Sequence, residues 1–296
     1  MTEAGLDYQA VQVEAHSVAT PHGNLAARRF FVEGAHGIPL LVLHGGPGLA
    51  SDYLEPFSQL ASDRPVILFD QIGCGGSDQP VDDSVWDVAV YVQHVELVRA
   101  HFGLDAIHLY GQSWGGFLAL AYSDAHPDHV ATVVLGSPLV DTQRWVADAA
   151  ELIDALDEPF RSALQAGPND PGYAAAEAEY YRRHFCRLDP WPAVVSRGME
   201  SMDRRSYETM WGPNEFTSTD GVLHNQSMAP AAARLTVPNL WVTGSDDEAT
   251  PQSVREFAAS NDLSEVVVVP DATHCAHFED PETYFGAIRS FLITND

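Results

Sequence analysis

The segment Gly111–Gly115 constrains the fold of this chain more than any other. It reads Gly-Gln-Ser-Trp-Gly, follows the apolar run Ala106–Tyr110 and precedes the helix-like segment Gly116–Tyr122. A strand, a sharp G-x-S-x-G turn and a helix together hold a serine exposed on a strained turn. Glycine suits both ends of the motif because side chains would clash where strand and helix cross closely. Ser113 is therefore the first candidate nucleophile.

The motif alone is a weak signal. At average glycine and serine usage, G-x-S-x-G occurs by chance in about one chain in ten of this length. The alternative is an ordinary serine in a glycine-rich turn, so the rest of the chain has to decide between them.

Short apolar runs alternate with helical patterns along most of the chain. Runs typical of buried strands occupy residues 38–43, 66–69, 107–110, 131–135, 237–242 and 266–269. Helical patterns occupy residues 90–102, 116–125, 253–260 and 284–293. Two further β segments, 11–20 and 25–33, are joined by a predicted turn at 21–24. This alternation predicts an α/β fold with a mostly parallel central sheet flanked by helices.

The alternation breaks between residues 141 and 233. This stretch has no buried-strand run, is rich in Ala, Glu, Arg, Tyr and Trp, and is divided into short pieces by prolines. It predicts an inserted helical cap, with residues 1–140 and 234–296 forming the α/β core. Because it follows a strand, we expect it to cover the carboxyl ends of the strands, where ligands bind in open α/β sheets.

Composition limits the class of protein. The chain has 296 residues, 45% of them hydrophobic, but no run of about 18 apolar residues that would span a membrane. The polar, acidic N-terminus lacks the pattern of a signal peptide, and three scattered cysteines are too few for a disulfide framework. We expect a cytoplasmic protein that does not bind membranes.

The formal net charge of -27 argues against two classes of binding partner, nucleic acids and anionic membranes. Nucleic-acid binding needs a basic patch, so this charge argues against it, and it also disfavours anionic membrane surfaces. Long-range attraction of cationic substrates is one use of such a charge, and solubility is the other.

Acyl transfer by a serine needs an orienting acid, a base and an oxyanion hole. In the strand–turn–helix arrangement the acid follows the serine in sequence and precedes the base. Asp246, Asp247 and Glu248 crowd one loop after the run at 237–242. Any of them can be a solvated loop carboxylate, but the position after a late strand favours function for one.

The base is expected after the last strand. Among 13 histidines, His274 stands out because it follows the final buried run directly, and His277 is the runner-up. The two could instead form a metal pair, but no further ligand cluster with zinc spacing accompanies them.

The oxyanion hole is expected from two backbone N–H groups. One belongs to Trp114, the residue after the nucleophile, and the other to Gly46 in the loop His44–Gly48. A phosphate-binding loop is the alternative for these glycines, but no G-K-[ST] follows them.

These motifs together resemble the α/β-hydrolase superfamily and, within it, the proline iminopeptidase (prolyl aminopeptidase) family of serine peptidases. The matching segments span residues 44–278 in family order: His44–Gly48, Asp70–Ser77, Gly111–Gly115, Trp211–Phe216, Asp247–Pro251 and the His274 loop.

The resemblance implies roles for three acids. Asp247 is implied as the triad acid, and Glu215 and Glu248 as the groups that hold the substrate's free α-amino group. An ammonium ion in a closed site needs paired carboxylates to offset its desolvation. The implied substrate is a small peptide or amino-acid amide with a free N-terminal amine, and no metal or organic cofactor is implied.

The chain departs from the family pattern in two places. Ser245 and Asp246 precede Asp247 where the family commonly has Gly-x-Tyr-Asp, and residues 141–202 carry no matching motif. The preference for proline at the first position is therefore open. A broader L-amino-acid amidase, and an esterase or lactonase acting on a small natural product, are the alternatives. A non-catalytic binding protein is disfavoured by the complete set of candidate catalytic residues.

Overall fold

A computed structural model describes residues 10–80, 82–214, 216 and 220–296. Eight strands form one sheet: β1 (Gln12–Thr20), β2 (Gly23–Phe31), β3 (Leu40–Leu43), β4 (Val66–Phe69), β5 (Ile107–Gln112), β6 (Val130–Gly136), β7 (Asn239–Gly244) and β8 (Ser264–Val269). Their order across the sheet is β1-β2-β4-β3-β5-β6-β7-β8.

The sheet is mostly parallel. β1 pairs with β2, and β2 with β4, in antiparallel fashion, while every later neighbour is parallel. The predicted α/β class and mostly parallel sheet are confirmed. The predicted turn at 21–24 is too long, because Thr20 already pairs with Gly23. The hairpin loop is only Pro21 and His22, and Gly23 takes φ +130°, a value that favours glycine.

Helices cover both faces of the sheet: α1 (Val88–His101), α2 (Trp114–Ala125), α9 (Pro251–Ala258), α10 (Ala276–Glu279) and α11 (Pro281–Thr294). Strand β3 has no exposed side chain, which explains its continuous apolar sequence. A 3₁₀ segment, Ser51–Ser62, was not predicted. It contains Pro56, which interrupts the α-helical pattern on which sequence analysis depends.

The segment between β6 and β7 is helical in its described part, with α3 (Thr142–Asp154), α4 (Phe160–Ala166), α5 (Tyr173–His184), α6 (Ala193–Glu200), α7 (Arg204–Met210) and α8 (Ala229–Ala233). Its two ends meet, since the Thr142 N–H donates to the Gln226 carbonyl at 3.1 Å and the Met228 N–H to the Val140 carbonyl at 2.8 Å. We call residues 141–233 the cap segment.

Within the described ranges, the helices are all too short or too polar to cross a membrane. The three cysteines are buried free thiols. The fold is therefore held by packing and hydrogen bonds rather than by cross-links, and the central strands supply much of the buried apolar surface.

Candidate active site

Ser113 sits on the strained turn that the sequence predicts. It joins β5 to α2 with φ 55° and ψ −122°, a conformation that non-glycine residues rarely adopt. A Cβ on Gly111 would lie 2.0 Å from the Gly115 carbonyl oxygen, and one on Gly115 would lie 2.2 Å from the Leu43 carbonyl oxygen. The two glycines are thus required by close backbone approach, and the turn lifts the serine side chain out of the sheet.

The structure brings the predicted acid and base together. Asp247 lies three residues beyond the end of β7, and His274 five residues beyond the end of β8. His274 Nδ1 lies 2.8 Å from Asp247 Oδ1. With Nδ1 donating to the carboxylate, Nε2 is left as the proton acceptor of the ring.

Asp247 is buried and heavily hydrogen-bonded. Besides His274, its carboxylate accepts bonds from the Ser137 hydroxyl (2.5 Å), the Thr243 hydroxyl (2.9 Å) and the N–H groups of Gly244 (3.1 Å) and Ala249 (2.9 Å). Burial alone would raise the pKa of Asp247, but His274 and these hydrogen bonds lower it below the usual value. The carboxylate is therefore held ionised and fixed in orientation.

Two of these partners, Ser137 and Thr243, were not predicted. Ser137 directly follows β6 and takes φ 45°, and its N–H donates to the Val242 carbonyl at 2.7 Å. A polar residue at the end of a buried strand is the only sequence signal that could have pointed to it.

His274 is held by aromatic rings and by the backbone. Its ring stacks on Phe185, with centroids 5.7 Å apart, and meets Trp145 edge-on at 6.0 Å. The His274 N–H donates to the His184 carbonyl at 3.0 Å. His274 and Ser113 line the same cavity, although no hydrogen bond joins their side chains in the described part of the chain. Such contacts are often loose without substrate and tighten when it binds.

His277, the second candidate for the base, and Asp246, the acid next to Asp247, have different surroundings. His277 is buried between the rings of Tyr53 and Tyr284, at centroid distances of 6.0 and 5.9 Å, and burial lowers its pKa to about 3. It is therefore a neutral core histidine, and the histidine that contacts Asp247 is His274. The Asp246 side chain is half exposed and pairs with Arg187 at 2.8 Å.

The predicted oxyanion loop is anchored to the serine turn through Tyr53. The Gly45 N–H donates to the Tyr53 hydroxyl, which donates in turn to Gln112 Oε1, both at 2.7 Å. Gly46 takes φ +110° and lines the cavity next to Ser113. Sequence analysis did not identify Tyr53, which lies within the 3₁₀ segment that it missed.

A second set of bonds ties the loop to Trp114 through Gln71. The Gln71 N–H donates to His44 Nε2 and its side-chain amide to the His44 carbonyl, both at 2.9 Å, while Trp114 Nε1 donates to Gln71 Oε1 at 2.8 Å. Trp114 is the first residue of α2, where backbone N–H groups have no partner within the helix. The hydrogen bonds of Gln71 therefore connect the loop that carries Gly46 to Trp114, the two residues whose N–H groups are the predicted oxyanion donors.

One of the two predicted amine-binding acids can be placed. Glu248 is 3% exposed, lines the cavity, and has Oε1 3.7 Å from His274 Nδ1. Glu215 lies outside the described residues. The preceding residue, Asn214, lines the cavity, and its carbonyl accepts a 3.0 Å bond from Trp211 Nε1.

The cavity has a volume of about 220 Å³ and is enclosed by strand-end loops on one side and by the cap segment on the other. A much smaller recess, of about 10 Å³, lies on another side of Ser113 and Gly46. Its remaining walls are apolar and mostly aromatic: Leu139, Trp145, Tyr207 and Trp211.

The fold and this geometry define an α/β hydrolase, and the family model described as alpha/beta hydrolase fold matches residues 38–281. The proline iminopeptidase of Heyndrickxia coagulans is 35% identical over 270 residues, which are 88% of this chain and 93% of that protein. On this similarity the chain belongs to the proline iminopeptidase family, and it is a hydrolase.

Solved structures agree with this assignment. The crystal structure of the proline iminopeptidase from Mycobacterium smegmatis matches with a TM-score of 0.90 and 31% identity, covering 95% of this chain and 98% of that one. The crystal structure of VinJ matches with a TM-score of 0.89 and 26% identity, covering 96% and 99%. The similarity therefore extends through the cap segment as well as the core.

Proposed function

We propose that this chain is a serine exopeptidase that releases an N-terminal residue, proline first, from small peptides or amino-acid amides. The observation that carries the proposal is the 2.8 Å contact between His274 Nδ1 and Asp247, with Ser113, His274 and Glu248 lining one cavity. Membership of the proline iminopeptidase family supports the substrate class.

In the proposed mechanism, Ser113 Oγ attacks the carbonyl carbon of the first residue while His274 Nε2 takes the hydroxyl proton. The N–H groups of Gly46 and Trp114 stabilise the oxyanion that forms. His274 then gives its proton to the leaving amine as the C–N bond breaks, which leaves an acyl-enzyme. Water, deprotonated by His274, attacks this ester, and His274 returns the proton to Ser113 Oγ as the ester bond breaks and the free amino acid leaves.

Asp247 has a positioning and electrostatic role in this scheme. It fixes the tautomer of His274 and stabilises the imidazolium that forms when the ring takes the serine proton. Its lowered pKa supports this role, because the carboxylate stays negative throughout the reaction.

Substrate selection is proposed to depend on the free amine. Glu248, buried beside His274, supplies a negative charge where the α-ammonium of the first residue would lie. Glu215 is proposed as its partner because the Gly-Pro-Asn-Glu-Phe segment matches the family pattern. An acylated N-terminus would leave both carboxylates without their cation, and that is costly in a closed site.

A panel of aminoacyl arylamides tests the proposal. Wild-type protein should cleave proline arylamide and leave N-acetylproline arylamide intact, and Ser113→Ala should abolish cleavage while keeping the wild-type melting temperature. Labelling of Ser113 by a fluorophosphonate should be lost in the same variant. Equal cleavage of the acetylated substrate would indicate an esterase-like amidase, and full turnover by Ser113→Ala would refute the mechanism.

A further inference from the structure

Helix α5 carries a row of side chains into the cavity. Glu177 and Tyr181 on the helix and Phe185 at its C-cap are spaced four residues apart, so they share one face, and all three line the cavity. Phe185 stacks on His274 at the C-terminal end of this row. Glu177 lies two turns earlier, about 12 Å along the helix axis.

Glu177 differs from the other acid on the same helix. Glu179 is held by Arg182 and Arg183, with contacts of 2.7 and 2.6 Å. In contrast, no hydrogen bond or ion pair within 4 Å joins Glu177 to any residue in the described ranges. Burial raises the pKa of Glu177, and the positive charge of Arg204 only partly opposes this effect. Glu177 is half-buried, and a partly desolvated carboxylate without a close partner carries an energetic cost, which a cationic ligand would offset.

The cavity that holds Ser113 and Glu177 has many apolar groups in its walls. Its walls include the side chains of Leu49, Tyr181, Phe185, Val195, Met199 and Met202. A cavity with apolar walls and a carboxylate away from the serine is complementary to a side chain with an aliphatic stem and a charged tip, such as lysine. Arg204 also lines the cavity, but it is exposed, so solvent and salt weaken its competing charge.

The two sides of Ser113 differ in size. The small aromatic recess has a volume of only about 10 Å³, room for little more than one water molecule, whereas the main cavity has about 220 Å³. The substrate therefore occupies the main cavity: with the carbonyl of the first residue at Ser113 and its amine at Glu248, the leaving part extends towards Glu177.

We propose that Glu177 forms a subsite for a cationic group in the leaving part of the substrate, so that the enzyme prefers lysine or arginine at the second position. This inference rests on the proposed exopeptidase function and names the substrate class of that site. The large negative charge of the chain is consistent with it, because this charge attracts cationic peptides over long range.

A matched pair of substrates isolates the ammonium group. Prolyl-lysine amide and prolyl-norleucine amide differ only in the terminal amine, and the measured quantity is the ratio of their kcat/KM values. Wild-type protein should favour the lysine substrate about tenfold, the usual effect of one hydrogen bond to a charged group. Glu177→Gln should bring the ratio close to one, and Arg204→Gln, which removes the competing charge, should increase it.

Glu179→Gln is the control, since it removes a carboxylate from the same helix that is already paired, and it should keep the wild-type ratio. A wild-type ratio near one, or a Glu177→Gln ratio equal to that of wild type, would overturn the subsite. Failure of the proposed function has a different signature, because wild-type protein would then cleave neither amide nor proline arylamide. Melting temperatures of the variants confirm that each is folded.

Discussion

The hydroxyl of Tyr53 donates a 2.7 Å hydrogen bond to Oε1 of Gln112, the residue immediately before Ser113. The same hydroxyl accepts a 2.7 Å bond from the Gly45 N–H. One buried side chain therefore fixes the distance between the serine turn and the loop that carries Gly46. If Gly46 helps to bind the oxyanion, Tyr53 positions that donor through the Gly45 N–H, and Tyr53 itself also lines the cavity.

Replacing Tyr53 with Phe should lower kcat on proline arylamide by roughly 10- to 100-fold with little change in KM. The substitution leaves the Gly45 N–H and Gln112 Oε1 without their partner, and misplacing one oxyanion donor costs less than the roughly 100- to 1,000-fold that follows its removal. Tyr122→Phe is the control, because Tyr122 donates a hydrogen bond to Glu96 at 2.8 Å and is absent from the cavity lining. It should lower the melting temperature but keep kcat. Wild-type kcat in Tyr53→Phe would show that the loop keeps its position without this bond.

Replacing Glu248 with Gln should reduce kcat/KM for proline arylamide roughly 30- to 160-fold more than for a simple aryl acetate. The arylamide presents an ammonium that loses a buried partner, worth about 2–3 kcal/mol, while the acetate has no charge to bind. Asp246→Asn is the neighbouring control, since Asp246 is half exposed and paired with Arg187. It should affect both substrates alike and only slightly. Equal losses on both substrates in Glu248→Gln would exclude the amine-binding role.

The central strands and the serine turn could be predicted because their signals are local. Four-residue apolar runs such as Val66–Phe69 coincide with buried strands, and Gly111–Gly115 fixes its own backbone by close approach. The directions in which the side chains of residues 246–248 point could not be predicted from such local signals. The structure turns Asp247 towards donors from β6 and β7 but leaves Asp246 at the surface, and this difference depends on the path of the chain in three dimensions.

The framework of the site was also missed, for a related reason. Gln71 and Ser137 contact their partners across 27 to 110 residues of sequence, so no short pattern contains both members of a pair. Glu177 belongs to the same group, since it lies in the cap segment where residues 141–202 match no family motif. The choice of Asp247 among the three acids of its loop rested on the family resemblance alone.

Replacing His94 with Gln should make stability depend less on pH between about 7 and 4. Burial and the neighbouring His22, at 3.1 Å, lower the pKa of His94 from 6.5 to about 4. The unfolded chain therefore binds a proton as the pH falls through 6.5, while the folded chain does so only near 4. Stability falls over this interval, by on the order of 3 kcal/mol from this residue.

Chemical denaturation at pH 7.5 and pH 5 measures this effect as a change in the free energy of unfolding. Other buried histidines with lowered pKa values, among them His108 at about 4, keep part of the slope in the variant. The control is His36→Gln at an exposed position, which should retain the wild-type slope. An unchanged slope in His94→Gln would mean that His94 takes up its proton equally in both states.

Alanine substitutions at two helical glycines should have opposite effects. At Gly115, the new Cβ would lie 2.2 Å from the Leu43 carbonyl oxygen and 2.8 Å from that of His44, so the backbone of β3 would have to move. We expect loss of activity and destabilisation by several kcal/mol. At Gly286, in the middle of α11, no atom lies within 4 Å of the new Cβ. Alanine there should stabilise the helix by about 1 kcal/mol and raise the melting temperature by about 2 °C. Thermal unfolding together with an arylamide assay distinguishes the two variants. An active Gly115→Ala protein with the wild-type melting temperature would show that β3 and α2 can move apart at Gly115 without cost.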